Sequence, residues 1–548
     1  MTSTAPFPPA WPETVTEQFP VLKPWEVLPK AGNLYTFNQP DGPQITVRPD
    51  GRRGVLPHAR PDGTIGLRRA RCEDEQRLVS ENSTVWSMLA YDGFWAAAAE
   101  LPGNMPPARR GRGAPAHQPM WVRWAMSKFA GLVGSQNASV AYFSDPITWY
   151  MFCLQANHHL PEGWTPANPA TPPTLQTLRG LNDKWELPEW EPIREAAKRA
   201  EFAAALNHTR RLGHFNPDQP LSYNQVDFKQ WVIVDGTVLK APSDRTPDDA
   251  KPGRIDPASG MHTHAGGTKR GSKFMLAETV SAQYRGRFII AADHVTPKPG
   301  NTVGDEAATT ITAMTQLKQA IPGMRGVIVD GAFRGTHLKK MYDIGLVTIN
   351  RPTAASNPNR STGGVMAEGR EETKRPLRVH RHTLPNGYEC EHRLHLVGSV
   401  LHQQTYGDDG NTILTPLPTP HNGYGRENRD GTWRWYTEYV VPCPNGDTTA
   451  RLRLDAPGED DYKGGSRPEL ARFYPTDSPQ FGVLYGRRNA TESVHRQYKR
   501  RAVRVPAYGH IRQTLYVLGF VTMHNAVAVQ MAARAAGEPN VFGDKRQT

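Results

Sequence analysis

Residues 232–236 and 327–331 carry the same run, Val-Ile-Val-Asp-Gly. A short, unbroken apolar run of this kind marks a strand buried on both faces, which needs a sheet with a layer packed on either side. The neighbouring segments agree. KFMLAETVSAQY and RGRFIIAADHV read as two strands joined by a tight YRGR turn, NTVGDEAATTITAMTQLKQAI as an amphipathic helix, GTHLKKMYDIG as a short helix and LVTIN as a fifth strand. The order β-β-β-α-β-α-β predicts an α/β fold with a mixed sheet, antiparallel at one edge and parallel at the other.

At 548 residues the chain is too long for one compact core. Residues 1–75, rich in Pro and Gly, read as an irregular arm. Residues 76–220 are mainly helical and end beyond a link with five prolines between Pro161 and Pro173. The sheet occupies 228–350. Alternating segments such as TWRWYTEYVV and TARLRLD make 351–480 a β-rich insertion, and helices at 481–535 complete the sheet domain before a tail at 536–548. Gln513 to Ala533 carries no charged side chain, but its Gln513, His524, Asn525 and Gln530 favour a core helix over a membrane span. The N-terminal residues lack the basic and apolar regions of a secretory signal.

An excess of 65 basic over 53 acidic residues gives a net charge of +12 and favours a polyanionic partner. Five basic residues and no acidic one lie between Leu101 and Ser144: Arg109, Arg110, Arg112, Arg123 and Lys128. They form either a phosphate-facing surface or an ordinary solvated face. The cysteines Cys72, Cys153, Cys390 and Cys443 form no CxxC pair, so neither a zinc ribbon nor a disulfide framework is expected.

The chemistry concentrates on three acids. Asp235 and Asp330 end the two repeated runs, where open α/β sheets place their sites. A carboxylate there is costly unless a cation compensates, although Asp-Gly is also a common way to start a turn. Glu492 follows in YGRRNATESVHRQYK, the only acid among seven basic side chains from Tyr485 to Arg504. Tyr485, Arg488, Glu492 and Lys499 would share one face of a helix. If the helix instead starts at Asn489, Tyr485 and Arg488 precede it, and Glu492 takes the third position of a capping box.

These residues resemble the DDE transposases of the IS4 type, which carry Asp on a first strand, Asp-x-x-Phe on a fourth and Tyr-(2)-Arg-(3)-Glu-(6)-Lys on a late helix. The resemblance covers roughly 228–535. It implies an RNase H-like mixed sheet interrupted before the Glu by the β-rich insertion and preceded by the mainly helical region. It also implies that Asp235, Asp330 and Glu492 hold two Mg²⁺ ions, with Mn²⁺ able to substitute, for phosphodiester hydrolysis and transesterification. Tyr485, Arg488 and Lys499 would hold the DNA end, with Arg487 and Arg496 alongside and Arg109, Arg110 and Arg112 in a separate end-binding region. The implied partners are double-stranded DNA, as terminal inverted repeats and target, and a second copy of the chain in a synaptic dimer. The expected location is the bacterial cytoplasm, at the nucleoid.

Two rivals remain at this point: a DNA-binding protein that no longer moves DNA, and an RNase H-like nuclease or resolvase that hydrolyses without joining. Trp433 and Trp435 alternate on one predicted strand and could stack on a displaced base, or pack across strands. The pair His262 and His264, and the group Cys390, His392 and His395, are weak metal candidates because no third ligand follows at a useful spacing.

Overall fold

A computed structural model describes the short strands between residues 26 and 69 and residues 85–536, apart from 106–117, 145, 169–173, 244–254, 265–266, 282–285, 298–303, 331–332, 352–373, 398, 459–460, 462–466, 502–504 and 506. The expected tail from 537 and the three arginines Arg109, Arg110 and Arg112 lie outside the described residues. The first 75 residues are not wholly irregular. Strands β1 (Glu26–Pro29), β2 (Tyr35–Asn38) and β3 (Ile45–Val47) form one antiparallel sheet, and β4 (Val55–Ala59) pairs with β5 (Ile65–Arg69). Strands of three to five residues between Pro and Gly are too short for alternation to show.

The helices α1 (Asp92–Ala99), α2 (Met120–Val133), α3 (Gln136–Ser144), α4 (Pro146–His158), α5 (Leu175–Trp185) and α6 (Glu191–Arg211) follow. Then comes the sheet, with β6 (Trp231–Lys240) at its centre. β7 (Gly260–His264) and β9 (Ile289–Val295) pair with the first and second halves of β8 (Gly267–Thr279), which is antiparallel to β6. On the other side β10 (Gly326–Ile328) runs parallel to β6, and β11 (Val347–Ile349) runs parallel to β10. Helix α7 (Glu306–Ala320) links β9 to β10, and α8 (Gly335–Asp343) links β10 to β11. The five predicted strands and two helices all form. β7 is additional: its GMHTH sequence is too polar to read as a strand, but an edge position accepts it.

Both faces of the sheet are covered, as the two apolar runs require. Val232 and Val234 point to one side, where Met275, Ala277 and Ile290 meet Met314 and Leu317 of α7 and Met341 of α8. Trp231 and Ile233 point to the other, against the insertion residues Leu394, Trp435 and Phe473. The insertion folds as a four-stranded sheet of β12 (Lys374–Thr383), β13 (Glu389–Val397), β14 (Val400–Tyr406) and β15 (Thr412–Pro416), and a three-stranded sheet of β16 (Asn422–Glu427), β17 (Trp433–Val441) and β18 (Thr448–Arg453). Three helices come next, α9 (Arg467–Leu470), α10 (Pro479–Gly486) and α11 (Asn489–Arg501), and the long α12 (His510–Ala535) closes the described chain.

α12 contains the segment His510–Ala533, which has the length and apolarity to cross a membrane, yet 72% of that window is buried inside the fold. It is a core helix, as the polar residues within it predict. Leu518, Val521 and Met523 join Leu239, Phe274, Leu276 and Ile289 of the sheet and Trp121, Trp124 and Phe129 of α2 in one core. The helices of 76–220 therefore share their core with the sheet and α12. Asn525 extends the sheet hydrogen bonding: its Oδ1 accepts from Ile289 N (2.8 Å) and its Nδ2 donates to Ile289 O (2.9 Å).

Lys128 does not face phosphate. It is fully buried, donating to Glu201 Oε2 (2.5 Å) and Thr522 Oγ1 (2.7 Å) between α2, α6 and α12. That burial rests on two glycines where α2 and α12 cross backbone to backbone. A Cβ on Gly131 would lie 2.2 Å from Tyr516 O, and one on Gly519 would lie 2.1 Å from Lys128 O. A main-chain carbonyl cannot swing aside as a side chain can. Gly519→Ala is therefore expected to lower stability by about 1–3 kcal/mol, the usual cost of overpacking, seen as a lower denaturant midpoint. An unchanged midpoint would show that the helices separate freely.

Candidate active site

The parallel ladder pairs Gly326 with Trp231 and Ile328 with Ile233. Asp330 lies two residues beyond the end of β10, close enough for its charge to raise Asp235. β6 itself continues to Lys240 against β8, so the Asp235-Gly236 step is strand and not the start of a turn. The acid lies where the parallel partner has ended and the antiparallel partner continues.

The residue after it accommodates an ion pair. A Cβ on Gly236 would lie 2.0 Å from Glu306 Oε1 and 2.5 Å from Lys273 Cε. Gly236 thus makes room for the ion pair between Glu306, the first residue of α7, and Lys273 of β8. Burial pushes the Asp235 carboxyl up to about 6; the charges of Asp330 and Glu306 add to the rise, and Arg488 opposes it. Glu306 is raised too, by burial first, with Lys273 opposing and Asp330 adding. Glu306 was not anticipated, because an acid beside Asp305, the residue capping α7, looks like ordinary first-turn chemistry.

The third acid approaches from the helical side. α11 begins at Asn489 after a turn at 487–488, so Tyr485 ends up on α10 and the four residues do not share one continuous helix. The turn nevertheless keeps them close. The Arg488 guanidinium is held charged by Asp235, Tyr485, Asp330 and Glu492 against the effect of its own burial. Glu492 is exposed. One turn further on, His495 brings Nδ1 to 3.5 Å from Asp235 Oδ2. Burial, with Lys499 and Arg488 adding, depresses His495 to about 3, so this contact is a neutral ring edge against the carboxyl and not an ion pair. Lys499 is also lowered by burial, with Asp235 opposing.

Other expected residues make contacts of their own. Arg487 lies over the Phe228 ring, 4.5 Å from its centroid, and Arg496 is exposed on α11. Tyr485 stacks on Phe481 (5.3 Å) beneath the Arg351 guanidinium (5.1 Å). Of the two readings of Trp435, packing fits and base stacking does not: it is 2% exposed, donates Nε1–H to Tyr342 O (3.0 Å) and packs on Phe473. Trp433 stacks on Trp435 and sits over Gly345, so the pair packs the insertion onto α8. His262 is engaged with Gly271 O (3.1 Å) on β7.

Behind Asp235 lies a further carboxyl. Glu278 of β8 is fully buried, neither oxygen has a hydrogen-bond partner, and Arg287 stays 4.0 Å away. Burial drives it up to about 8, with Asp235 adding and Arg287 opposing. The folded chain therefore holds this proton where the unfolded chain has lost it. Glu278 thus favours folding below pH 4.5, and that contribution is lost as pH rises towards 8. Glu278→Gln is expected to be more resistant to denaturant than the wild type at pH 8, with the difference shrinking towards pH 4.5. A pH-independent difference would mean Glu278 does not titrate across this range.

Compared with protein-family models, curated proteins and solved structures, the chain matches none.

Proposed function

We propose that the chain is a DDE-type DNA transposase, cutting the ends of its element and joining them to target DNA. The observation that carries the reading is that Asp235 and Asp330, on or just beyond the paired strands β6 and β10, lie within electrostatic reach of one another and of Arg488, which Glu492 also reaches. The strand arrangement supports it: β6, β8 and β9 run antiparallel, with the edge strand β7 between β6 and β8 in the chain, and β10 and β11 lie parallel on the far side of β6, with Asp235 on β6 and Asp330 two residues beyond β10. On this reading the sheet would be RNase H-like. The β-rich insertion before the Glu and the net charge of +12 fit the same reading.

The donor set fits Mg²⁺, since carboxylate oxygens dominate. Asp235, Asp330 and Glu492 would hold the ion, with Glu306 adding charge. A divalent ion bound there lowers the pKa of water and stabilises charge on a phosphoryl oxygen. Asp235 must lose its proton to act as a ligand, so ion affinity falls below about pH 6. Arg488 and Lys499 supply cationic donors for the non-reacting phosphate oxygens. A second copy of the chain would hold the other DNA end, and action at the nucleoid follows from the substrate.

The test is incubation of the purified chain with DNA carrying the inverted repeats that flank its gene, in Mg²⁺ or Mn²⁺ and in EDTA. Metal-dependent cutting at the repeat boundary, and joining of precut ends to a plasmid, are expected. Cutting without joining would leave a nuclease, and binding with neither would leave a DNA-binding protein.

A further inference from the structure

We propose that the insertion carries a zinc site built by His382, Cys390 and Cys443, separate from the acids on the sheet. Among the described residues, the ligating atoms of these three lie within 4.8 Å of one another. The β12–β13 ladder explains two of them. His382 pairs directly with Cys390 and His380 with His392, and alternation along each strand puts all four on one face. Cys443 arrives from the other sheet, in the turn between β17 and β18, which is anchored where Asp447 Oδ1 accepts from Cys443 N (3.3 Å).

A second observation points to a missing partner. Both ring nitrogens of His382 are buried without a hydrogen bond. An imidazole in that state is destabilised unless something binds it. The His392 ring lies parallel to it at 5.3 Å, and its Nε2 is likewise buried and unpartnered. Asn445 Nδ2 donates to Cys390 Sγ at 3.6 Å, the outer support a metal thiolate normally receives.

Two sulfurs and a nitrogen select Zn²⁺ over the hard ion assigned to the carboxylates. Tetrahedral Zn²⁺ places its sulfur ligands about 3.8 Å apart, so the cluster needs to close by roughly 1 Å. Binding replaces the two thiol protons, which leave to solvent, and the resulting dithiolate site is neutral. His392 or a water completes the fourth position. The ion would staple the β12–β15 sheet to the β16–β18 sheet. No short motif announces it, because the ligands come from three separate segments.

Full-length protein purified without chelator is expected to retain about one zinc per chain through gel filtration, measured by elemental mass spectrometry. Cys390→Ser and Cys443→Ser should each lose it, while Glu492→Gln keeps it. Misfolding of a cysteine variant would mimic that loss, so Co²⁺ exchange into the wild-type chain is the second measurement. It should give the charge-transfer absorption of thiolate-bound tetrahedral cobalt. Zinc retained in both cysteine variants, no cobalt–thiolate band in protein with free thiols, or a Cys390–Cys443 disulfide under reducing purification would each overturn the proposal. None of these outcomes depends on whether the chain cuts DNA.

Discussion

Asp235→Asn, Asp330→Asn and Glu492→Gln are each expected to lower Mg²⁺-dependent cleavage of the element's end by about three orders of magnitude. On the transposase reading each side chain is a ligand, and a bound ion contributes several kcal/mol of charge stabilisation, at ~1.4 kcal/mol per decade of rate. The stability of the variants makes the result interpretable. Asp235 is raised by burial, so its ionisation opposes folding progressively from pH 3.8 to about 6 and in full above that, and an amide removes that penalty. Asp235→Asn should therefore be at least as stable as the wild type at pH 8, and inactive. Cleavage undiminished in any of the three variants would remove that side chain from the active centre.

Lys128→Ala is expected to cost about 3–5 kcal/mol, because it strands the Glu201 carboxylate in the core with only Thr522 to support it. Both charged side chains are 0% exposed, so water cannot replace the lost partner. The double variant Lys128→Met, Glu201→Leu should recover most of that loss, since removing the pair together leaves no buried charge. Denaturant midpoints for Lys128→Met, Glu201→Leu and the double variant form the cycle. A single variant as stable as the wild type would mean that water reaches the pair. Lys128 also lies 4.8 Å from the Trp124 ring centroid, so its truncation loses packing as well.

The legible parts of the fold were those where burial acts on every residue of a segment. β6 and β10 could be read from Val-Ile-Val because each strand is covered on both faces. Asp235 and Asp330 were legible for the same reason, as charges at the ends of those runs. Glu306 and Glu278 were not. Their positions depend on how α7 and β8 register against β6, and that information is spread over distant segments. The break at 487–488 defeated the one-face expectation because helical spacing cannot distinguish one helix from two joined by a short turn. Lys128 looked like a surface charge because its partners, Glu201 and Thr522, come from helices remote in sequence. Trp433 and Trp435 were placed on one face correctly, but alternation does not say which layer covers that face.

The dependence of the sheet on α12 sets a condition on synthesis. Between Ile349 and His510 a ribosome spends roughly 10–30 s, and throughout that interval Phe274, Leu276 and Ile289 lack the wall that α12 later provides. The nascent polypeptide already contains Asp235 and Asp330 but lacks a closed core, and for most of the interval it lacks Glu492 as well. A message cut short before α12 thus encodes a product that aggregates or is degraded, and the acids of the proposed site gain a closed core around them only once α12 has been translated.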